Sequence, residues 1–269
     1  MIKAKKSLGQ NFLDDSNVVK RIVESTEIYP QDAVVEIGPG KGVLTEALAK
    51  KKSKVLAIEL DNRLLPILKD KFSKKKNIEV FHGDILKINF PKLIEEKFTI
   101  NEAKSYKVIA NIPYYITAPI IRLLLETKYP PKEMYLMVQK EVAERIVAKP
   151  GDMSILAVAV QYYAFAHILF GVSRLSFDPM PQVDSAIIKI VAKGKAECDK
   201  EQTKKFFKLV RAGFAAKRKT LANNLASSFK MTKKEVESAL ENLGFTKNTR
   251  AQELSVEDWQ ELMTELNLQ

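Results

Sequence analysis

Val34-Val35-Glu36-Ile37-Gly38-Pro39-Gly40-Lys41-Gly42-Val43-Leu44-Thr45 is the stretch that decides the fold. Residues 33–37 make a short apolar strand, and residues 42–51 read as the helix after it. The glycines between them let the backbone turn sharply and let a ligand approach with no Cβ in the way. Their spacing is G-x-G-x-G. It is neither the dinucleotide G-x-G-x-x-G nor the G-x-x-x-x-G-K-[ST] of a nucleotide-triphosphate loop. Glu36, just before the glycines, would repel a pyrophosphate and suits a ligand carrying an ammonium group. S-adenosyl-L-methionine has an amino-acid end and no phosphate.

Outward from this turn, strand and helix patterns alternate. Asp15-Ser16 caps a helix running to about residue 26, with Val18, Val19, Ile22 and Val23 at helical spacing. Strands are expected at 54–59, 77–82, 106–110 and 133–138, and helices at 62–72 and 118–127. This rhythm argues for a parallel sheet with helices on both faces. Residues 167–172 and 185–192 read as two further strands with no long helix between them, an antiparallel pair at the sheet edge. After Gly194 the pattern becomes helical, at 202–214, 217–227, 233–243 and 256–266. The expected fold class is therefore α/β with a small C-terminal all-helical domain. The boundary is placed at 195/196, giving domains 1–195 and 196–269.

Chemistry is expected at the strand ends. The second strand closes on Glu59-Leu60-Asp61, about twenty residues after the glycines, where an acid can take both ribose hydroxyls of an adenosine. The third closes on Gly83-Asp84, whose carboxylate can accept from an adenine amine or cap the turn. The fourth closes on Asn111-Ile112-Pro113-Tyr114. An exocyclic adenine amine is a poor nucleophile because its lone pair is delocalised into the ring. The Asn111 side-chain oxygen and the Ile112 main-chain carbonyl can hold its N–H groups and favour a tetrahedral nitrogen. Pro113 stiffens the turn, and Tyr114 offers a flat face for the base to stack upon.

Composition narrows the partners. The chain has 269 residues and a net charge of +11. Residues 193–234 hold thirteen Lys/Arg against three acids, whereas 235–269 hold two against eight. A basic stretch of this kind suits a polyanion, nucleic acid first. Lys204, Lys205, Lys208, Arg211, Lys217, Arg218 and Lys219 are the candidates to hold nucleic-acid phosphates, an anionic membrane being the second partner such charge would fit. Lysine is a flexible point charge, so they read as tracking the backbone more than the bases. No apolar run approaches the roughly 18 residues needed to span a bilayer, and the basic N-terminus lacks an apolar signal core. Cys198 alone forbids an internal disulfide and fits a reducing cytoplasm. Two histidines, one cysteine and no clustered carboxylates argue against a metal site.

In its ordered motifs the chain resembles the small-subunit ribosomal RNA adenine N6,N6-dimethyltransferase family, Rossmann-like class I methyltransferases. The resemblance begins at Lys6-Ser7-Leu8-Gly9-Gln10-Asn11-Phe12-Leu13 and runs through the glycine turn, Glu59-Leu60-Asp61, Gly83-Asp84 and Asn111-Ile112-Pro113-Tyr114. It continues in Phe177-Asp178-Pro179-Met180-Pro181-Gln182-Val183-Asp184-Ser185, and in Ala212-Gly213-Phe214 with Lys217-Arg218-Lys219-Thr220-Leu221. It implies that Asn11, Leu13, Gly38, Glu59, Asp84 and Asn111 contact S-adenosyl-L-methionine. It also implies that Tyr114 and Phe177 sandwich a flipped adenine. The implied substrate is a pair of neighbouring adenosines in a loop near the 3′ end of small-subunit RNA, within a partly assembled subunit, and the enzyme is expected as a cytoplasmic monomer. Two alternatives stay open at this point: an adenine methyltransferase of large-subunit RNA, and a mainly non-catalytic assembly checkpoint.

Overall fold

A computed structural model describes residues 2–194 and 200–268. The chain enters through a two-residue strand, β1 (Phe12–Leu13), and helix α1 (Ser16–Ser25). Asp15 starts α1 by accepting from the backbone N–H groups of Asn17 and Val18. The helix buries Val19, Ile22 and Val23, the i, i+3, i+4 stripe that the sequence displays. β2 (Ala33–Ile37) is buried at all five positions, which is why it reads as a continuous apolar run and not as an alternating one. Then follow α2 (Val43–Lys50), β3 (Lys54–Glu59), α3 (Leu65–Phe72) and β4 (Ile78–His82). Two short helices, α4 (Phe90–Lys97) and α5 (Ile100–Ser105), precede β5 (Lys107–Asn111). Next come α6 (Thr117–Glu126), β6 (Glu133–Gln139), α7 (Lys140–Ile146) and α8 (Ile155–Tyr163). The strands end with β7 (Ala164–Val172), the two-residue β8 (Phe177–Asp178) and β9 (Ser185–Ala192).

Seven strands form one sheet in the order β4-β3-β2-β5-β6-β9-β7. The first five are parallel, while β9 runs antiparallel to both β6 and β7. The expected antiparallel pair is thus present, with β7 at the edge and beginning three residues earlier than expected. β1 and β8 form a separate ribbon with Leu13 opposite Phe177.

Four further helices complete the chain: α9 (Lys200–Gly213), α10 (Leu221–Phe229), α11 (Lys233–Asn242) and α12 (Val256–Glu265). α10 begins four residues later than its expected start. Thr220 is its N-cap, accepting from Asn223 N–H, so Lys217, Arg218 and Lys219 lie on the turn before it.

Contacts divide the chain into two units that differ from the expected 1–195 and 196–269. One comprises residues 2–143 with 164–192; the other comprises 144–163 with 193–194 and 200–268. Residues 144–163 were expected in the first domain. They pack instead among the C-terminal helices, where Ala157 and Val158 share a core with Phe206, Leu209, Leu225, Leu240 and Trp259. The Gln252 carbonyl accepts from both Gly151 and Met153 N–H. The expected boundary at 195/196 and Cys198 lie outside the described residues. Among the described residues no helix is long and apolar enough to cross a membrane.

Candidate active site

The sheet order reverses between β2 and β5, and in such sheets the crevice at the strands' carboxyl ends is where ligands bind. A cleft of about 1090 Å³, open to solvent, lies there. It is lined by the ends of β2, β3 and β5, the turn after β4, and residues 8–13 of the entering chain.

The glycines work as the sequence demands. Gly38, Gly40 and Gly42 all have φ between 58° and 73°, in the left-handed region. A Cβ on Gly38 would lie 3.8 Å from the main-chain oxygen of Asn111, so its absence leaves the floor between β2 and β5 open. Gly40 N–H donates to Glu59 Oε2 at 3.1 Å, and Asp61 N–H donates to Glu59 Oε1 at 2.7 Å. These two bonds hold a carboxylate whose burial pushes its pKa upward. Each carboxylate oxygen keeps a further lone pair for a ligand hydroxyl.

Glu36 is 1% exposed, and burial pushes its carboxyl up to about 8. Its Oε2 has no hydrogen-bond partner among the described residues. A buried acceptor left bare in a cleft suits a cationic donor. Asp61 is already committed: the Arg63 guanidinium holds its carboxyl well below the usual range, and Gln10 Nε2 donates to it at 2.9 Å. Asp84 lines the cleft and also caps its own turn, accepting from Leu86 N–H at 3.0 Å.

At the end of β5, Asn111 Nδ2 donates to the main-chain carbonyl of Asn11 at 3.1 Å. Ile112 is buried and its N–H donates to Met137 O at 3.3 Å. Pro113 precedes a short 3₁₀ turn, Tyr114–Ile116. The Tyr114 hydroxyl meets Ser185 Oγ at 2.7 Å, at the start of β9, and burial raises its pKa.

Asn11, Leu13, Gly38, Glu59, Asp84, Asn111, Ile112, Pro113 and Tyr114 are therefore all brought to one cleft. Phe177 is not. It is 5% exposed, paired with Leu13, and packed in a core with Val19, Val172 and Ile187. The expected sandwich partner of Tyr114 is a core aromatic here, because the β1–β8 ribbon turns its ring inward. Gln10 and Ser185 are contributors that the sequence reading did not single out. Both fall inside motifs that carry the family resemblance, but their partners lie 51 and 71 residues away, so the bonds themselves are not legible locally.

Of the basic candidates, Lys204, Lys208 and Arg211 are exposed on α9, opposite its buried Phe206, Leu209 and Val210. Lys205 is half-buried, and Lys217, Arg218 and Lys219 are all exposed. Among the described residues no group of three or more His, Cys, Asp or Glu side chains is arranged to hold a metal.

The chain matches the family model for ribosomal RNA adenine dimethylase over residues 1–268. It is 44% identical over 263 residues to ribosomal RNA small subunit methyltransferase A of Bacillus pumilus, covering 96% of this chain and 89% of the relative. The protein of that name from Dehalococcoides mccartyi is 41% identical over 264 residues, covering 98% and 89%. Among solved structures, a dimethyladenosine transferase from Plasmodium falciparum superimposes with a TM-score of 0.79 at 30% identity, over 95% of this chain and 97% of that one. The 23S rRNA methyltransferase ErmE gives 0.73 at 28% identity, over 96% and 100%. With the family model spanning nearly every residue and its relatives above 40% identity end to end, the chain belongs to the ribosomal RNA adenine dimethylase family.

Proposed function

We propose that this enzyme dimethylates the N6 amines of two adjacent adenosines in a loop near the 3′ end of small-subunit ribosomal RNA. Its substrate is the partly assembled small subunit, and it acts as a cytoplasmic monomer. The fold and the family imply S-adenosyl-L-methionine as donor. That cofactor, when bound, supplies an electrophilic methyl carbon. The cleft fits it: Glu36 Oε2 is left for an ammonium, Glu59 for ribose hydroxyls, and Asp84 for an adenine amine. Asn11, Leu13 and Gly38 complete the wall.

One observation carries the reading. Asn111 uses one of its two amide N–H groups on the Asn11 carbonyl, which holds the side chain at the cleft with its oxygen still available as an acceptor. In this reading Asn111 Oδ1 and Ile112 O accept the two N–H groups of the target amine. The nitrogen lone pair is thereby freed from the ring, and the same two acceptors would position it for the methyl carbon that the cofactor supplies. Near-attack positioning of this kind is worth up to roughly 7–11 kcal/mol. The N–H proton passes to solvent once the methylated nitrogen is cationic and strongly acidic, so no strong base is required. Tyr114 stacks the extruded base, which costs less to flip from a loop than from a duplex. Phe177 joins the stack only if β8 shifts from its present pairing. The basic residues of α9 and of the turn before α10 hold RNA phosphates.

The relatives compared carry a small-subunit name, which favours that RNA over large-subunit RNA. The test is incubation with small subunits lacking the modification and a labelled methyl donor, followed by nucleoside analysis. Dimethyladenosine is expected. Monomethyladenosine alone, or label in large-subunit RNA only, overturns the reading.

A further inference from the structure

The first thirteen residues carry Lys3, Lys5 and Lys6 and no acid. They form an anchored strap. Ile2 and Ala4 pack on Phe12, Leu64, Leu68 and Phe72, while Lys3 and Lys5, alternating with them, are exposed. Lys5 N–H donates to Gln10 Oε1 at 2.7 Å, Gln10 is tied to Asp61, and Asn11 O is tied to Asn111. Lys6 begins a short 3₁₀ turn that ends at Gly9, where φ is 59°. None of the three lysines has an ion-pair partner among the described residues. Three carboxylates of this unit are occupied by other partners: Asp61 by Arg63 and Gln10, Asp178 by Lys41, and Asp15 by Ser176.

Against this strap lies Tyr115. A Cβ on Gly9 would sit 3.1 Å from two of its ring carbons, so only glycine lets the strap approach so closely. Yet Tyr115 is 61% exposed and lines the cleft. It follows Tyr114 in a 3₁₀ turn, where successive side chains diverge by about 120°. The two rings therefore serve different places: Tyr114 is tied to Ser185, and Tyr115 is at the rim.

We propose that the strap and Tyr115 form a rim for the RNA strand entering the cleft, with Lys3, Lys5 and Lys6 against its phosphates and Tyr115 stacked on the base beside the target adenine. Fixed cations beside an exposed aromatic ring are what single-stranded nucleic acid requires. In a substrate with two adjacent target adenosines, the base on Tyr115 is the second adenine while the first is in the cleft. The inference rests on the RNA-methylating function proposed above.

The experiment uses the full chain and small subunits lacking the modification. Combined Lys3→Gln, Lys5→Gln and Lys6→Gln should flatten the slope of log affinity against log salt by about 2, at roughly 0.7 per phosphate. Cofactor Kd, measured by calorimetry, should stay within twofold of the parent protein. Tyr115→Ala should raise KM for subunits about tenfold, the value of one stacked base, and Tyr115→Trp should restore it. An unaltered slope together with unaltered KM overturns the inference, and so does a cofactor Kd that moves in step with RNA affinity. An unsubstituted protein that transfers no methyl group overturns the underlying function instead.

Discussion

Asn111 and Asn11, one hundred residues apart, are joined by a 3.1 Å bond from the Asn111 side-chain amide to the Asn11 main-chain carbonyl. The bond anchors the Asn111 amide by one of its N–H groups and leaves its oxygen free to accept. It also ties the end of β5 to the strap that forms the opposite wall of the cleft.

Asn111→Ala removes both the acceptor oxygen and this tie. Loss of one preorganised hydrogen-bonding group at a reacting centre costs about 10²–10³ in kcat. A drop of that size is expected in single-turnover methylation, with subunit affinity within about threefold of the parent because the phosphate contacts remain. A variant retaining a third or more of the parental kcat sinks the acceptor role. If such an inactive variant still supported subunit assembly in cells fully, a checkpoint role would outweigh the chemistry.

Ser185 is fully buried, and its hydroxyl meets Tyr114 at 2.7 Å. It acts through Tyr114 by fixing the ring's plane. Ser185→Ala leaves a half-buried phenol without its partner, at the low end of a penalty of about 1–3 kcal/mol, and lets the ring tilt. KM for subunits should rise several-fold while cofactor Kd holds, and Ser185→Thr should recover most of the loss. Equal KM values for Ser, Ala and Thr would remove the positioning role.

Lys217, Arg218 and Lys219 stand exposed on the turn before α10. If they neutralise three phosphates, replacing all three with Gln flattens the salt dependence of subunit binding by about 2–3 in slope. The check is filter binding across a salt series. An unchanged slope refutes the contact, whatever happens to affinity at one salt concentration.

How much of this was legible in the sequence depends on the range of the interactions. The glycine turn, the acids at the ends of β3 and β4, and the Asn111–Tyr114 block announce themselves locally, since each is a strand end followed by turn chemistry. α1 was legible through its cap and stripe. α5 was not, because at six residues it is too short to display a period, and α4 directly before it also went unread. α8 shows no helical stripe: Ile155–Tyr163 carries apolar residues almost all round, as a helix covered on most sides does. The surroundings of Phe177 are not legible locally, because they are set by pairing with Leu13, 164 residues earlier. The Tyr114–Ser185 bond is hidden for the same reason.

Glu36 makes the cleft sensitive to pH. Folded, its carboxyl stays protonated up to about 8; in the unfolded chain it loses its proton near its ordinary value of 4.5. Between those values the folded state binds the extra proton, so stability contributed by this group falls as pH rises from about 4.5 to about 8. A cationic ligand beside Glu36 lowers that pKa and releases the proton. Cofactor affinity should therefore rise with pH between about 6 and 7.5, and calorimetry in buffers of different ionisation enthalpy should register the proton released. Glu36→Gln should abolish both the release and this part of the stability slope. A parent protein that releases no proton in that window contradicts the assignment.

Gly213 ends α9 in the second unit, where a Cβ would lie 2.3 Å from Trp259 Cη2 and 2.8 Å from Leu221 Cδ1. In an open helix, Gly→Ala gains up to about 1 kcal/mol. Here the Trp259 ring is enclosed, faces Phe214 at 5.9 Å between ring centres, and has nowhere to retreat. Overpacking of this kind costs about 1–3 kcal/mol. The packing cost should therefore outweigh the helix gain, and Gly213→Ala should melt earlier by about 2–4 °C for each net kcal/mol lost. Pairing it with Trp259→Phe, which removes the second ring from the collision, should recover part of the loss relative to Trp259→Phe alone. A Gly213→Ala protein that melts later than the parent would show that helix propensity, and not the Trp259 wall, governs this position.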